Sequence, residues 1–314
     1  MKRYIALVPI DFSEASKCAL AHAINLAKGF DGEVHLLNVS EEIPTSALSS
    51  LPVDFVDEVD VQGMDELDSF LSSFDIELPP LTKIVRSGFP SKSPAEVILE
   101  YAQDLAVDAI VMGTHGRRGT RRLLLGSVTE EVVRRAVCPV LTVRENKKAC
   151  SLPHIERILV PIDFSEATQH VLKVAEEIAL KTNASLILMH VVDIEFYPYY
   201  GLLEDPVRLI ERNMIDVSMT KLSEMVKSMR ARGLNANWET DTGHAARVVT
   251  EYADRNKMDM IVIGTHGRSG FDRIMVGSVA EKVLRSATCP TFVVNTSTVP
   301  VAKKTEWLSK QHVA

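Results

Sequence analysis

The chain repeats itself. Residues 8–15 read VPIDFSEA, and residues 160–167 read VPIDFSEA again. Residues 113–128 (GTHGRRGTRRLLLGSV) return as 264–279 (GTHGRSGFDRIMVGSV), and Cys138-Pro139 returns as Cys289-Pro290. The offset is 152 at the first match and 151 at the later ones, so one residue was gained or lost between them. Solenoid and propeller repeats have periods of roughly 20–50 residues. A period three times longer is a duplicated domain, and 314 residues suit two of them. We expect the domains at 1–146 and 154–297. The join falls in ENKKACSLPH (145–154), which is polar, carries a Pro and separates two apolar runs.

Each half has the same coarse pattern. IALVPI (5–10) and RILVPI (157–162) are short apolar runs suited to strands buried on both faces. Ala19, Leu20, Ala23, Leu26 and Ala27 then fall at helical spacing, with Gly29 as a stop signal. Val171, Val174, Ala175, Ile178 and Ala179 repeat that face. EVHLLNV (33–39) and SLILMHV (185–191) read as second strands. A variable stretch follows, with helical patterns at 64–74 and 207–232 and short third strands at 82–86 and 236–240. Helices over 94–105 and 245–256 lead into DAIVMG (108–113) and DMIVIG (259–264). A last helix begins at Ser127 and at Ser278, and PVLTV and PTFVV close the halves as fifth strands.

Alternating strands and helices build βαβ units and a parallel sheet covered on both sides. The expected fold is α/β: two tandem doubly wound domains, each a five-stranded parallel sheet with helices on both faces. In such sheets ligands bind beyond the carboxyl ends of the strands, where strand order reverses. Asp11, Val39 and Gly113 lie at strand C-termini in this reading, as do Asp163, Val191 and Gly264.

Composition removes several classes. An apolar fraction of 46% with 25% charged residues is ordinary for a globular protein. No apolar run reaches the roughly 18 residues that a membrane span needs. The apolar run at the N-terminus ends at Asp11, too short for a signal-peptide core, so we expect a cytoplasmic protein with no membrane partner. The net charge of −7 argues against nucleic acid. It also hides a segregation: residues 41–80 hold eleven acids and no Lys or Arg, whereas 113–148 hold nine bases and three acids. A cationic stretch in an acidic protein suits a small anion. Cys18, Cys138, Cys150 and Cys289 show no ligand spacing and read as reduced, packed thiols.

The glycine spacing carries the chemistry. Gly113-x-x-Gly116, nine residues, then Gly126-Ser127 follows an apolar strand and opens a helix whose buried stripe is Val128, Val132, Val133 and Ala136. A glycine there lets the chain turn sharply and lets a ligand reach the main chain. Free N–H groups and the dipole at the helix start attract an anion, and Ser127 adds a hydroxyl. Arg117, Arg118, Arg121 and Arg122 lie between the glycine pairs and supply charge. The pattern is neither GxGxxG nor GxxxxGK[ST], and the first strand is not followed by SGGxDS.

With VPIDFSEA, G-x2-G-x9-G-[ST] and the Cys-Pro closing strand each present twice, the chain resembles the universal stress protein family in its tandem, ATP-binding form. The resemblance covers almost the whole chain. It implies an adenine-nucleotide-binding (ATP or AMP/ADP) regulatory protein of the stress response, a binding module with Mg2+ as the nucleotide's companion. It places Pro9 and Asp11 beside the adenosine and main-chain groups of Val39 at the adenine. Gly113, Gly116 and Arg117 would approach ribose and phosphate, and the amides of Gly126, Ser127 and Val128 would hold the phosphates. The matching set is Pro161, Asp163, Val191, Gly264, Gly267, Arg268, Gly277, Ser278 and Val279. The family's glycine after its third strand is matched by Gly243 but not in the first half, where Lys92 falls, with Gly88 four residues upstream. The resemblance further implies that the domains pair through their fifth strands, which hides two exposed edges. A homodimer of the whole chain is compatible with this.

Other readings stay open. A slow ATPase or phosphotransferase would need a base and metal ligands, and Asp11 and Asp163 each stand alone, as ribose ligands or helix caps. A nucleotide-free scaffold would keep the loops for folding alone. His115 and His266 lie inside the glycine loops, His35 and His190 read as packing or surface residues, and the 297–314 tail is unassigned.

Overall fold

A computed structural model describes residues 3–40, 55–72, 74, 78–87, 92–114, 125–145, 154–193, 204–265 and 276–295. In the first half the order is β1 (Ile5–Ile10), α1 (Glu14–Gly29), β2 (Glu33–Ser40), α2 (Phe55–Ser72), β3 (Leu81–Ser87), α3 (Pro94–Asp104), β4 (Ala109–Gly113), α4 (Ser127–Arg135) and β5 (Val140–Val143). The second half repeats it with β6 (Arg157–Pro161), α5 (Glu166–Thr182), β7 (Ser185–Val192), α6 (Glu204–Ala231), β8 (Ala236–Thr242), α7 (Ala245–Arg255), β9 (Met260–Gly264), α8 (Ser278–Ser286) and β10 (Thr291–Val294).

Capping chemistry sets several helix ends. The Ser13 hydroxyl accepts from the Ser16 amide at the start of α1. Ser93 and Glu96 form a reciprocal capping box at α3, with Pro94 in the first turn, where its missing N–H costs nothing. The helix over 55–72 is longer than the expected 64–74. Its Gly63 weakened the sequence signal, yet a β-carbon there would lie 2.8 Å from Cγ1 of Val85 on β3, so packing demands the small residue.

The ten described strands form one sheet in the order β3-β2-β1-β4-β5-β10-β9-β6-β7-β8. Pairing is parallel within each half, and β5 meets β10 antiparallel through Thr142↔Thr291, Leu141↔Phe292 and Val140↔Val293. The expected fifth-strand pairing is therefore present, and it fuses the two domain sheets. One apolar layer contains α1, α2, α5 and α6 with side chains such as Val8, Leu36, Val160 and Leu188. The other contains α3, α4, α7 and α8 over Leu7, Leu37, Leu159 and Met189. Successive strand residues feed opposite layers, as a period of two requires. The C-termini of α1 and α5 approach one another: a β-carbon on Gly29 would lie 3.7 Å from the carbonyl oxygen of Lys181. These two positions match across the repeat.

The backbone repeats more faithfully than the side chains. Left-handed φ angles occur at Phe12 (63°) and Phe164 (59°), at Asp31 (53°) and Asn183 (58°), and at Ala106 (46°) and Lys257 (51°). Each pair occupies matched positions. Cys138 and Cys289 are reduced thiols, as expected. Cys18 is a correction: it is disulfide-bonded, not reduced.

Candidate nucleotide site

A crevice forms where β1 and β4 part. Their ladder holds only Ala6↔Ala109 and Leu7↔Ile110, while β1 stays paired with β2 as far as Ile10↔Asn38 and β4 with β5 as far as Gly113↔Val143. Pro9 lies two residues past the last β1–β4 pair. It has no N–H to donate, so it suits a central strand only where one ladder has ended. The second half parts at the same place: β6 and β9 pair only at Ile158↔Met260 and Leu159↔Ile261, with Pro161 beyond. These are the points where strand order reverses, the ligand position of doubly wound sheets.

The turn after β1 is held from three sides. Asp11 Oδ1 accepts from the Ser13 amide (3.1 Å) and the Ser13 hydroxyl (2.6 Å). Asp163 Oδ1 accepts from the Ser165 amide (3.0 Å), the Ser165 hydroxyl (2.7 Å) and Thr168 Oγ1 (3.0 Å). Both Asp side chains are thus engaged in shaping the start of the following helix, with Phe12 and Phe164 left-handed between donor and acceptor. From β2, buried Asn38 donates its Nδ2–H to the Ile10 carbonyl at 2.8 Å. The matching donor is His190, whose Nδ1–H reaches the Ile162 carbonyl at 2.6 Å with the ring beside Phe164 (centroids 4.6 Å apart).

Past these bonds, β2 and β7 outrun their neighbours. Val39 pairs with Arg86 on β3 and Val191 with Asp241 on β8, beyond the last residues paired with β1 and β6. Both valines are half-buried, with side chains packed on the α3/α7 layer and main chain at the crevice edge.

The glycine-led helices close the site. Gly126 and Gly277 are the N-caps of α4 and α8, and neither helix has a side-chain cap. Each is tied to its strand end: Gly126 N–H donates to the Thr114 carbonyl at 2.8 Å, and Gly277 N–H to that of Thr265 at 2.6 Å. Ser127, Ser278 and Val279 are exposed and Val128 is half-buried. Thr129 Oγ1 also donates to the Gly113 carbonyl at 2.8 Å, a bond Ala280 cannot repeat. Gly113 has a packing reason of its own, since a β-carbon there would lie 2.7 Å from Cβ of Ala15 in α1.

Of the expected site residues, Pro9, Asp11, Val39, Gly113, Gly126, Ser127 and Val128 share one edge of the first half. Pro161, Asp163, Val191, Gly264, Gly277, Ser278 and Val279 share the matching edge of the second. Gly116, Arg117, Gly267 and Arg268 lie outside the described residues, as do Arg118, Arg121, Arg122, His115, His266, Gly88, Cys150 and the tail. Lys92 pairs with Glu100 at 2.7 Å, whereas Gly243 has φ +122°, a conformation that favours glycine. His35 is a buried packing residue whose Nδ1 meets the Tyr101 hydroxyl at 2.8 Å. Among the described residues, no group of three or more His, Cys, Asp or Glu could hold a metal. No described helix is long and apolar enough to cross a membrane. The sequence reading missed Asn38 and His190, although the 152-residue offset would have flagged them as polar residues in matched, otherwise apolar strands.

Comparison with known proteins agrees with this architecture. A model of the universal stress protein family matches twice, at residues 5–144 and 154–295. The universal stress protein MJ0531 of Methanocaldococcus jannaschii is 34% identical over 140 residues, covering 44% of this chain and 81% of its own. A universal stress protein of Mycolicibacterium smegmatis is 23% identical over 296 residues, covering 93% and 97%. Among solved structures, a universal stress protein from Archaeoglobus fulgidus superposes with TM-score 0.68 at 20% identity, over 94% of this chain and 99% of its own. With both halves matched and the doubly wound fold repeated in each, the chain belongs to the universal stress protein family.

Proposed function

We propose that each half binds one adenine nucleotide, ATP or its AMP/ADP relatives, and that the chain works as a nucleotide-binding regulatory protein of the stress response. The units would be 1–146 and 154–297. One observation carries this reading: in both halves the central strands part beside a helix whose N-cap is a glycine, which offers no side chain to the first-turn amides. Phosphate is the ligand such a terminus favours. Main chain at Val39 and Val191, past the last pairing with β1 and β6, would meet the adenine edge. The Asp11 and Asp163 turns would face the ribose. Gly116, Arg117, Gly267 and Arg268 would complete the phosphate contacts by family resemblance. Mg2+ would be held chiefly by phosphate oxygens. Because Oδ1 of each Asp is spent on the helix-opening turn, a binding role fits these carboxylates better than that of a general base.

The test is to purify the chain without added nucleotide, denature it and identify any released small molecule by mass spectrometry. About two adenine nucleotides per chain are expected, or the same stoichiometry by calorimetry after adding ATP. An empty protein that also takes up no ATP would overturn the reading and leave a scaffold. Released ADP with continuing turnover would favour the slow ATPase.

A further inference from the structure

We propose that the two sites are energetically coupled by a closed ring of hydrogen bonds through α4 and α8, so that filling one changes the affinity of the other. This rests on the nucleotide-binding reading. Because β5 and β10 run antiparallel, the carboxyl ends of the two sets of strands point opposite ways. Each phosphate-side helix therefore starts at its own site and ends near the other.

The contacts at those far ends are reciprocal. Asn295, just after β10, donates its Nδ2–H to the carbonyl of Ala136, the C-cap of α4, at 2.9 Å. Its Oδ1 meets Thr265 Oγ1 at 3.5 Å, and the Thr265 carbonyl accepts from Gly277, the N-cap of α8. Arg144, the residue matching Asn295, donates to the Leu284 carbonyl at 3.3 Å and to the Arg285 carbonyl in the last turn of α8. Just before Arg144, the Val143 carbonyl accepts from Thr114 at 2.9 Å, and the Thr114 carbonyl accepts from Gly126, the N-cap of α4. A guanidinium at the negative end of a helix dipole is a favourable placement. Glu130 on α4 and Arg285 on α8 add an ion pair at 3.5 Å across the same seam. Any shift of α4 toward a bound phosphate is thereby passed to the loop that caps α8, and the reverse.

The test is calorimetric titration of the full chain with ATP. Ser127→Glu closes the first site with a carboxylate that the helix start tolerates, and Ser278→Glu assigns the sites. The second-half affinity in Ser127→Glu should differ at least about 5-fold from that of the parent with its first site filled. In an Arg144→Met/Asn295→Ala background the difference should fall below about 2-fold. If that double variant does not fold, Thr265→Val alone cuts the ring at its Asn295 contact and should reduce the difference in the same direction. Equal affinities in the parent background, or a difference that survives cutting the ring, would overturn the coupling while leaving nucleotide binding intact. A parent that binds no ATP would overturn both.

Discussion

A β-carbon placed on Gly113 would lie 2.7 Å from Cβ of Ala15 and 2.9 Å from its carbonyl carbon. The strand end that forms one wall of the crevice is thus pressed against the first turn of α1. The glycine is required by the fold before any ligand arrives.

Gly113→Ala should therefore destabilise the ligand-free protein by about 1–3 kcal/mol, the usual cost of overpacking a tight contact. Chemical denaturation without nucleotide reads this directly. An unchanged midpoint would mean that α1 and β4 can move apart, and would return Gly113 to a purely ligand-facing role.

Among the described residues, Asp163 accepts three hydrogen bonds at one oxygen and Asp11 two. Bonds to a charged acceptor contribute about 1.5–3 kcal/mol. Asp163→Ala should cost about that much in ligand-free stability and more than Asp11→Ala. Asp163→Asn should cost less, because its carbonyl oxygen still accepts. Equal losses for the alanine and asparagine variants would count against a turn-shaping role.

Buried His22 in α1 has no hydrogen-bond partner at either ring nitrogen, and burial lowers its pKa from 6.5 to about 4. The unfolded chain binds this proton first, so the stability is whole above pH 6.5 and drains away as pH falls toward 4. His22→Val, which copies Val174 at the matching position, should be more stable than the parent. The advantage should grow by roughly 2–3 kcal/mol between pH 7.5 and pH 4. Parallel denaturation curves at both pH values would show that His22 is not the group responsible.

Burial, with Asp254 nearby, pushes the Cys289 thiol up to about 12. The thiolate is the reactive form, so native protein at pH 8 should leave Cys289 unalkylated by iodoacetamide while unfolded protein reacts. Peptide mass spectrometry separates the cases, and rapid labelling of the native chain would refute the assignment.

The repeat itself carried most of the architecture. Two copies of VPIDFSEA and two glycine loops, each between an apolar run and a helical stripe, determined the two-domain repeat, the strand–helix alternation and the edge of the sheet that carries the candidate site. Apolar periodicity and cap residues act within a few residues of chain, so they are legible in one dimension. What joins residues distant in sequence was decided only by the tertiary structure. Asp108 Oδ2 takes the Ile5 amide at 2.8 Å, and Asp259 does the same for Arg157 at 2.9 Å, so the Asp opening each fourth-strand motif caps the start of the first. Gly63 is small because of Val85, and Gly113 because of Ala15. Asn38 and His190, different in chemistry, hold equivalent carbonyls because matched backbones leave the same acceptor exposed to each. Arg144 and Asn295 follow the fifth strands PVLTV and PTFVV, and nothing local in the sequence marks them. Only the antiparallel meeting of β5 and β10 brings each to the end of the other half's helix, where unpaired carbonyls need a donor.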